Sequence, residues 1–252
     1  MKKKFKIALL STIDNPFLSF FISSILNQDL EDIMVICDSK EISNRDRTIL
    51  HRRTNGAFSK INSLKNSIYE INNIKVPFYF VNNHNDNDTL DWIYDLSIDV
   101  LLNAGTPRKL STLILKSVKF GVVNIHPGIL PRYRGCSAVE WAIYNDEKVG
   151  NTAHFMTEGY DEGPIIKSEW YEFPINTDYK SIRIKVYRRG CILAGKVLRL
   201  IMENDIKPND VKPQDDKNAN YWDPIPDDKF KRVQEIIDNG QYYYQRLSRV
   251  WF

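Results

Sequence analysis

The 252-residue sequence is poor in the features that mark unusual classes of protein. It has only three cysteines, Cys37, Cys136 and Cys191, and no Cys-x-x-Cys pair. An odd, scattered set of cysteines is typical of reduced thiols in the cytoplasm and argues against a disulfide framework. No His-Glu-x-x-His or Cys/His spacing indicates a metal site, so we expect none. No apolar run approaches the roughly 18 residues that a membrane span needs.

An excess of charge of one sign is also nearly absent. The chain has 35 Lys and Arg against 32 Asp and Glu, a net charge of +3, which makes no general electrostatic case for nucleic acid. With 42% hydrophobic and 27% charged residues, disorder and coiled coil are excluded as the main architecture. The three lysines after Met1 precede an apolar stretch only one strand long, which favours a first strand over a signal peptide. We therefore expect a cytoplasmic protein without membrane or nucleic-acid partners.

Short β-like runs alternate with helix-like segments through the first half of the chain. This βαβα alternation predicts an α/β fold with a Rossmann-like, mostly parallel sheet. Strands are predicted over residues 5–10, 33–37, 76–81, 98–102 and 121–125, and helices over residues 16–28, 58–71, 88–96 and 107–118.

The pattern changes after His126. Here the sequence predicts a short helix over residues 137–145, strands over 151–156 and 164–173, and a long helix over 177–203. Residues 206–220 are polar and contain proline, which is typical of an extended linker, and an aromatic tail with a helix over 227–239 follows. We predict a core over residues 1–205, and a linker with a small C-terminal extension over residues 206–252.

The densest cluster of unusual residues is Asn-Ile-His-Pro-Gly-Ile-Leu-Pro-Arg-Tyr-Arg-Gly at residues 124–135. A predicted strand leads into it, so Asn124 and His126 lie at the carboxyl end of that strand, where open α/β sheets bind ligands. One residue separates them, so both side chains project to the same side of an extended chain. Downstream, an acidic turn over residues 157–164 can bring Asp161 to the same edge. Each residue alone has an ordinary structural explanation, but their combination is hard to attribute to chance.

This combination resembles the folate-dependent formyltransferases, which move a formyl group from 10-formyltetrahydrofolate to an amine. The family pattern is Asn-x-His-Pro, then Leu-Pro-x-x-Arg-Gly, then Asp-x-Gly, and all three occur in order within residues 98–166. The resemblance implies that Asn124, His126 and Asp161 take the catalytic positions. It also implies a folate pocket with two walls, formed by Gly105, Thr106, Pro107 and Arg108 on one side and by Phe155, Met156, Thr157 and Glu158 on the other.

Formyl transfer needs these residue types. The attack of a primary amine on a formyl carbonyl creates an oxyanion, which the Asn124 amide can stabilise. His126 is suited to moving the proton from the amine to the leaving nitrogen. Asp161 would orient the imidazole, stabilise its charged form or position a proton-relaying water, and these roles stay open. His154 lies where some relatives also carry a histidine, although a packed strand histidine explains it equally well.

The family has branches that formylate different amines. The loop over residues 11–16 lacks the glycine-rich phosphate nest of the branch that acts on a ribonucleotide. Only about 45 residues follow the long helix, too few for the C-terminal barrel of the methionyl-tRNA branch. In length and in its Tyr-Trp tail, the chain resembles the branch that formylates the amino sugar of a nucleotide-linked deoxysugar (dTDP type) for surface polysaccharide. The predicted substrate-binding residues are Pro127, Gly128, Arg132, Arg134, Tyr221 and Trp222.

Several alternatives stay open at this point. The chain could be a methionyl-tRNA formyltransferase-like enzyme, or a folate- or nucleotide-binding module without catalysis. Trp222 could pack on the body of the protein, and the two loop arginines could form local salt bridges. The basic run over residues 45–53 predicts a solvated helix face, with a place beside the ligand cleft as the alternative. Aromatic residues at 242–244 and 251–252 favour a homodimer through the C-terminal region.

Overall fold

A computed structural model describes residues 5–58, 60–61 and 64–245 of the chain. The strands are β1 Ile7–Thr12, β2 Ile33–Asp38, β3 Ile68–Ile71, β4 Ile74–Val81, β5 Val100–Asn103, β6 Val122–His126, β7 Arg134–Gly135, β8 Val149–Phe155, β9 Ile165–Tyr171 and β10 Tyr221–Trp222. The helices are α1 Leu18–Leu26, α2 Asn44–Thr54, α3 Asn87–Asp95, α4 Thr112–Leu115, α5 Ala138–Tyr144, α6 Tyr179–Asn204 and α7 Asp227–Asp238. Short 3-10 turns lie at Pro208–Asp210 and Asp216–Asn218.

Eight strands form one sheet in the order β3-β4-β2-β1-β5-β6-β8-β9. The strands from β4 to β6 in this order run parallel. On one side β8 pairs antiparallel with β6 and β9 pairs antiparallel with β8, and on the other side β3 pairs antiparallel with β4. Every residue of β1 and β2 is buried, as expected for central parallel strands covered on both faces. The predicted α/β class with a mostly parallel sheet is therefore confirmed.

The helix predicted over residues 58–71 is wrong. Ile68–Ile71 is instead a strand that pairs antiparallel with β4. The two-residue connection, Asn72-Asn73, has φ angles of +49° and +64°. Positive φ at both positions is typical of a type I′ hairpin turn, which asparagine tolerates better than most residues. Residues 59, 62 and 63 of the predicted helix lie outside the described residues.

A helix that the sequence analysis did not delimit, α2, lies between β2 and β3. Ser43 caps it, because the hydroxyl oxygen accepts a hydrogen bond of 3.1 Å from the Asp46 N–H. The helix predicted over residues 107–118 is reduced to α4, which Ser111 caps in the same way. The residues just before α4 form a loop at the carboxyl edge of the sheet, and this loop contributes to the site described below.

Residues 206–245 pack against the sheet and its helices. β10 pairs in parallel with β7, and α7 packs on α5 through buried Phe230, Val233 and Ile237. Buried Tyr242 donates a hydrogen bond of 2.7 Å to the Glu147 carbonyl. The boundary predicted at residue 205 and the predicted dimer stay predictions, and Trp251 and Phe252 lie outside the described residues. Over the described part of the chain, none of the helices has the length and apolarity that crossing a bilayer requires.

Candidate active site

The three side chains predicted to be catalytic meet at the carboxyl edge of the sheet. Asn124 and His126 lie on β6, and β8 pairs with it so that His154 is opposite Asn124. Asp161 follows β8 in a turn where its φ angle is +57°. Its Oδ2 atom is 3.3 Å from Nδ1 of His126, and its Oδ1 atom is 3.6 Å from Nε2 of His154. Asn124 Nδ2 is 3.0 Å from the same His154 nitrogen. One carboxylate, two imidazoles and one amide therefore converge.

The Asp161 carboxylate is held in its ionised form. Burial by itself would raise the pKa of Asp161, but the adjacent His126 imidazole and the Gly135 N–H, 2.9 Å away, hold that pKa well below its usual range. The turn itself is fixed by Gln214, whose amide donates 2.9 Å and 2.7 Å hydrogen bonds to the carbonyls of Asp161 and Gly163. The site thus contains a permanent negative charge beside two imidazoles.

Both ring nitrogens of His126 face hydrogen-bond acceptors. Nδ1 faces the Asp161 carboxylate, and Nε2 is 2.6 Å from the Tyr133 carbonyl oxygen. Because a carbonyl only accepts, Nε2 carries a proton. A charged imidazolium would donate to both partners. Gly128 allows this arrangement, since a Cβ there would lie 2.8 Å from Nε2 of His126 and 2.7 Å from the Ala138 Cβ.

The first predicted folate wall follows β5. Gly105, Thr106 and Pro107 line a large cleft beside Asn124. Arg108 turns away and makes two 2.9 Å hydrogen bonds to the Asp38 carboxylate at the end of β2. This bidentate pair anchors the segment to the neighbouring strand.

The second predicted wall follows β8 and presents mainly backbone. The Phe155 side chain is fully buried in the core, and the Met156 N–H donates 2.7 Å to the Val122 carbonyl. The Thr157 hydroxyl is within 3.5 Å of the Gly159 carbonyl. Glu158 accepts a 2.6 Å hydrogen bond from Thr112, the first residue of α4. The folate contacts of both walls stay predictions.

The cleft has a volume of about 920 Å³. Asn124 and Pro127 line it, together with residues from the β1–α1 loop, α2 and α6. The basic run predicted as a solvated face therefore belongs to the cleft: Arg45, Arg52 and Arg53 all line it. The spacing of these arginines is the sequence signal for a shared position on the cleft, because residues seven or eight apart lie on one face of a helix. Further lining residues that sequence reasoning missed include Asn15, Lys40, Tyr187 and Gly190.

The other predicted substrate residues have partners outside this cleft. Arg132 pairs with Glu147, and buried Arg134 pairs with Asp216 at 2.7 Å. The Trp222 ring packs against Tyr133 and Trp141, and Tyr221 bonds to Glu162. Arg132, Tyr221 and Trp222 line a second cavity of about 530 Å³. Their contact with substrate stays a prediction, as does that of Arg134 and Gly128.

Within the described part of the chain, no group of three or more His, Cys, Asp or Glu side chains could hold a metal ion. The nearest approach to such a group at the site is the cluster of Asp161 with its two histidines, and hydrogen bonds already occupy it. The expectation of a metal-free site stays a prediction.

This fold and site define a class of protein. The chain matches the formyl transferase family over residues 5–190, a span that includes β1 to β9 and all four converging side chains. The chain therefore belongs to the formyl transferase family, and the resemblance drawn from its motifs is confirmed.

Known relatives differ in what their names say they act on. The methionyl-tRNA formyltransferase of Clostridium tetani is 32% identical over 124 residues, which cover 49% of this chain and 40% of that protein. The glycinamide ribonucleotide transformylase 1 of Symbiobacterium toebii has the same fold, with a TM-score of 0.58, 19% identity and coverage of 85% and 96% of the two chains. A sugar N-formyltransferase of Shewanella sp FDAARGOS_354 also has this fold, with a TM-score of 0.55 and 17% identity. The match covers 86% of this chain and 76% of that chain. The chain spans less than half the length of the curated relatives it matches.

Proposed function

We propose that the protein transfers a formyl group from 10-formyltetrahydrofolate to the amine of a nucleotide-linked amino sugar. The observation that carries the proposal is the convergence of Asn124, His126 and Asp161 beside a large cleft with a cationic rim. A module that only binds folate or nucleotide would not need this proton-transferring arrangement.

The site's residues divide the reaction between them. As the amine attacks the formyl carbon, negative charge develops on the formyl oxygen, and Asn124 donates an N–H to it. The amine loses a proton, and the folate nitrogen gains one as its bond to the formyl carbon breaks. We assign this transfer to the imidazole of His126, which Asp161 and the Tyr133 carbonyl hold in place. Asp161 stays ionised and balances the positive charge of the imidazolium.

The residues beside Asn124 fit a folate co-substrate. The folate would supply the formyl group, and it must reach the Asn124 amide. Gly105, Thr106 and Pro107 line the cleft next to Asn124, and small or backbone-presenting residues let a flat ring system approach closely. Arg108 fixes this segment through Asp38.

The charge of the cleft favours a substrate that carries phosphate. Among the described residues that line it, four are basic (Lys40, Arg45, Arg52 and Arg53) and two are acidic (Glu41 and Asp46). Arg53 is 3.1 Å from buried Glu140, but Arg45 and Arg52 are exposed. Exposed guanidinium groups suit the oxygens of a diphosphate. The α2 arginines therefore provide the diphosphate contacts in this proposal.

Transfer to methionyl-tRNA is the second candidate, because the relative from Clostridium tetani is 32% identical over 49% of this chain. A tRNA partner calls for an extended basic surface, whereas the net charge here is only +3. A single cationic cleft matches a small anionic substrate better.

A panel of acceptors tests the proposal. The full-length protein is incubated with 10-formyltetrahydrofolate and each of dTDP-, UDP- and GDP-linked amino sugars, glycinamide ribonucleotide and methionyl-tRNA. Release of tetrahydrofolate is followed, and thermal shifts report binding. We expect turnover and stabilisation with one class of nucleotide sugar. Turnover with methionyl-tRNA or glycinamide ribonucleotide alone would contradict the proposal.

A further inference from the structure

We propose that Asn103 is a positioning residue that fixes which way the Asn124 amide faces. This inference rests on the proposed function, because it explains how Asn124 comes to present an N–H to the reacting carbonyl. It concerns a chain of hydrogen bonds that runs from the loop after β5, through Asn103 and Asn124, to His154.

The orientation of the Asn103 amide is fixed by the backbone. Its Oδ1 atom accepts hydrogen bonds from the N–H groups of Gly105, at 3.1 Å, and Thr106, at 2.9 Å. Backbone N–H groups can only donate, so the oxygen of Asn103 must face them. The Nδ2 atom of Asn103 therefore faces the other way, towards β6.

The orientation of the Asn103 amide determines that of the Asn124 amide. The Nδ2 atom of Asn103 donates a 2.9 Å hydrogen bond to Oδ1 of Asn124. If the Asn124 amide were rotated by 180°, its Nδ2 would face Nδ2 of Asn103, and both groups are donors. The Nδ2 atom of Asn124 is therefore directed to the opposite side, towards His154 at 3.0 Å.

This series of hydrogen bonds ends at His154. Nδ1 of His154 is 2.9 Å from the Phe155 carbonyl, so that nitrogen carries a proton. Nε2 is then free to accept from Nδ2 of Asn124. One of the two Asn124 N–H bonds is used here, and the other is available to a substrate oxygen in the cleft that Asn124 lines. The loop after β5 thus sets the polarity of the group that stabilises the oxyanion.

Asn103→Asp separates this role from the shaping of the loop. The aspartate still accepts from the Gly105 and Thr106 N–H groups, so the turn is kept. It no longer donates to Asn124, and its carboxylate attracts the Asn124 Nδ2 instead. We expect kcat to fall by about 10²–10³-fold, the loss typical of one oxyanion donor, with KM for both substrates nearly unchanged. An unchanged kcat would overturn the proposal.

The pH dependence of this variant gives a readout that a structural role would not move. When protonated, the aspartate can again donate to Oδ1 of Asn124. We expect the ratio of variant to wild-type kcat to rise as pH falls. A flat ratio would contradict the proposal. Asn103→Ala has no donor at any pH and should give a flat, low ratio. Asn87→Asp is the charge control, because Asn87 is exposed in the first turn of α3, and its kcat should match that of the wild type.

The tautomer of His154 provides a test that does not require turnover. In the 15N-labelled wild-type protein, imidazole spectra should show His154 protonated at Nδ1 only. In Asn103→Asp the reversed Asn124 presents its oxygen, so Nε2 of His154 should gain a proton. If Asn103→Asp does not fold, Asn103→Ala should still lose the single Nδ1-protonated form. An unchanged His154 spectrum would refute the role of Asn103. If the wild type formylates no acceptor, the proposed function fails, and this spectrum still decides the role of Asn103.

Discussion

The two sides of the cleft are built on different principles. On the β6–β8 side, His126 and His154 are almost fully buried, and each polar atom of the converging cluster has a defined partner. On the α2 side, Arg45 and Arg52 are exposed, and the shortest ion pair of Arg52 is a 3.9 Å contact with exposed Asp227. Chemistry at one carbon requires groups held in fixed geometry. Binding a flexible anion tolerates side chains that adapt.

This contrast predicts different kinetic effects from the two sides. Substitutions at the β6–β8 side, called the fixed side below, should lower kcat, because they remove interactions with the transition state. Substitutions at the α2 side, called the adaptable side below, should raise KM and leave kcat nearly intact, because they remove binding that substrate and transition state share.

The largest effect is expected for His126→Ala. The loss of proton transfer should lower kcat by about 10²–10⁴-fold, while the KM for each substrate changes little. Steady-state kinetics with the acceptor that the panel selects measure this effect. A variant that retains full kcat, yet binds 10-formyltetrahydrofolate normally, would remove His126 from the mechanism.

A smaller effect is expected for the double variant Arg45→Ala/Arg52→Ala. Two exposed ion pairs worth up to ~1 kcal/mol each imply a rise in the KM for the nucleotide sugar of up to roughly thirtyfold, with kcat unchanged. The difference in KM between the double variant and the wild type should be smaller at high salt, because salt screens exposed charges.

Arg232→Ala is the matched control for this double variant. Arg232 is also an exposed helical arginine, paired with Glu235 on α7, but it does not line the cleft. Its KM should equal that of the wild type. If the double variant lowered kcat instead of raising KM, the division between the two sides would be wrong.

The sequence predicted the fixed side better than the adaptable one. A buried strand followed by Asn-x-His-Pro places its side chains at the sheet edge by topology alone, so Asn124 and His126 were foreseeable. Asp161 was placed by motif order, although its positive φ and its contact with His154 depend on the turn after β8. In this region the sequence motif and the position of the side chains in the fold agree.

The adaptable side depends on features that a hydrophobic pattern does not show. α2 carries only two strongly apolar residues, Ile49 and Leu50, so its helical period is weak, although Ser43 and Asp46 form a capping signal. The sequence predicts β4 as a strand but includes β3 in a helix, because the turn at Asn72-Asn73 depends on positive φ angles that the hydrophobic pattern does not show. Arg132 and Arg134 were plausible anion ligands, yet nearby carboxylates pair with both. Such pairing emerges only from the fold.

The central claim is that His126 and Asp161 act as one unit, and a double-mutant cycle tests it most directly. The kcat of formyl transfer is measured for the wild type, His126→Ala, Asp161→Asn and the double variant at one pH. Residues that act together lose activity non-additively. The account predicts that the double variant is no slower than the slower single variant, within about threefold. Losses that multiply across the two substitutions would contradict it.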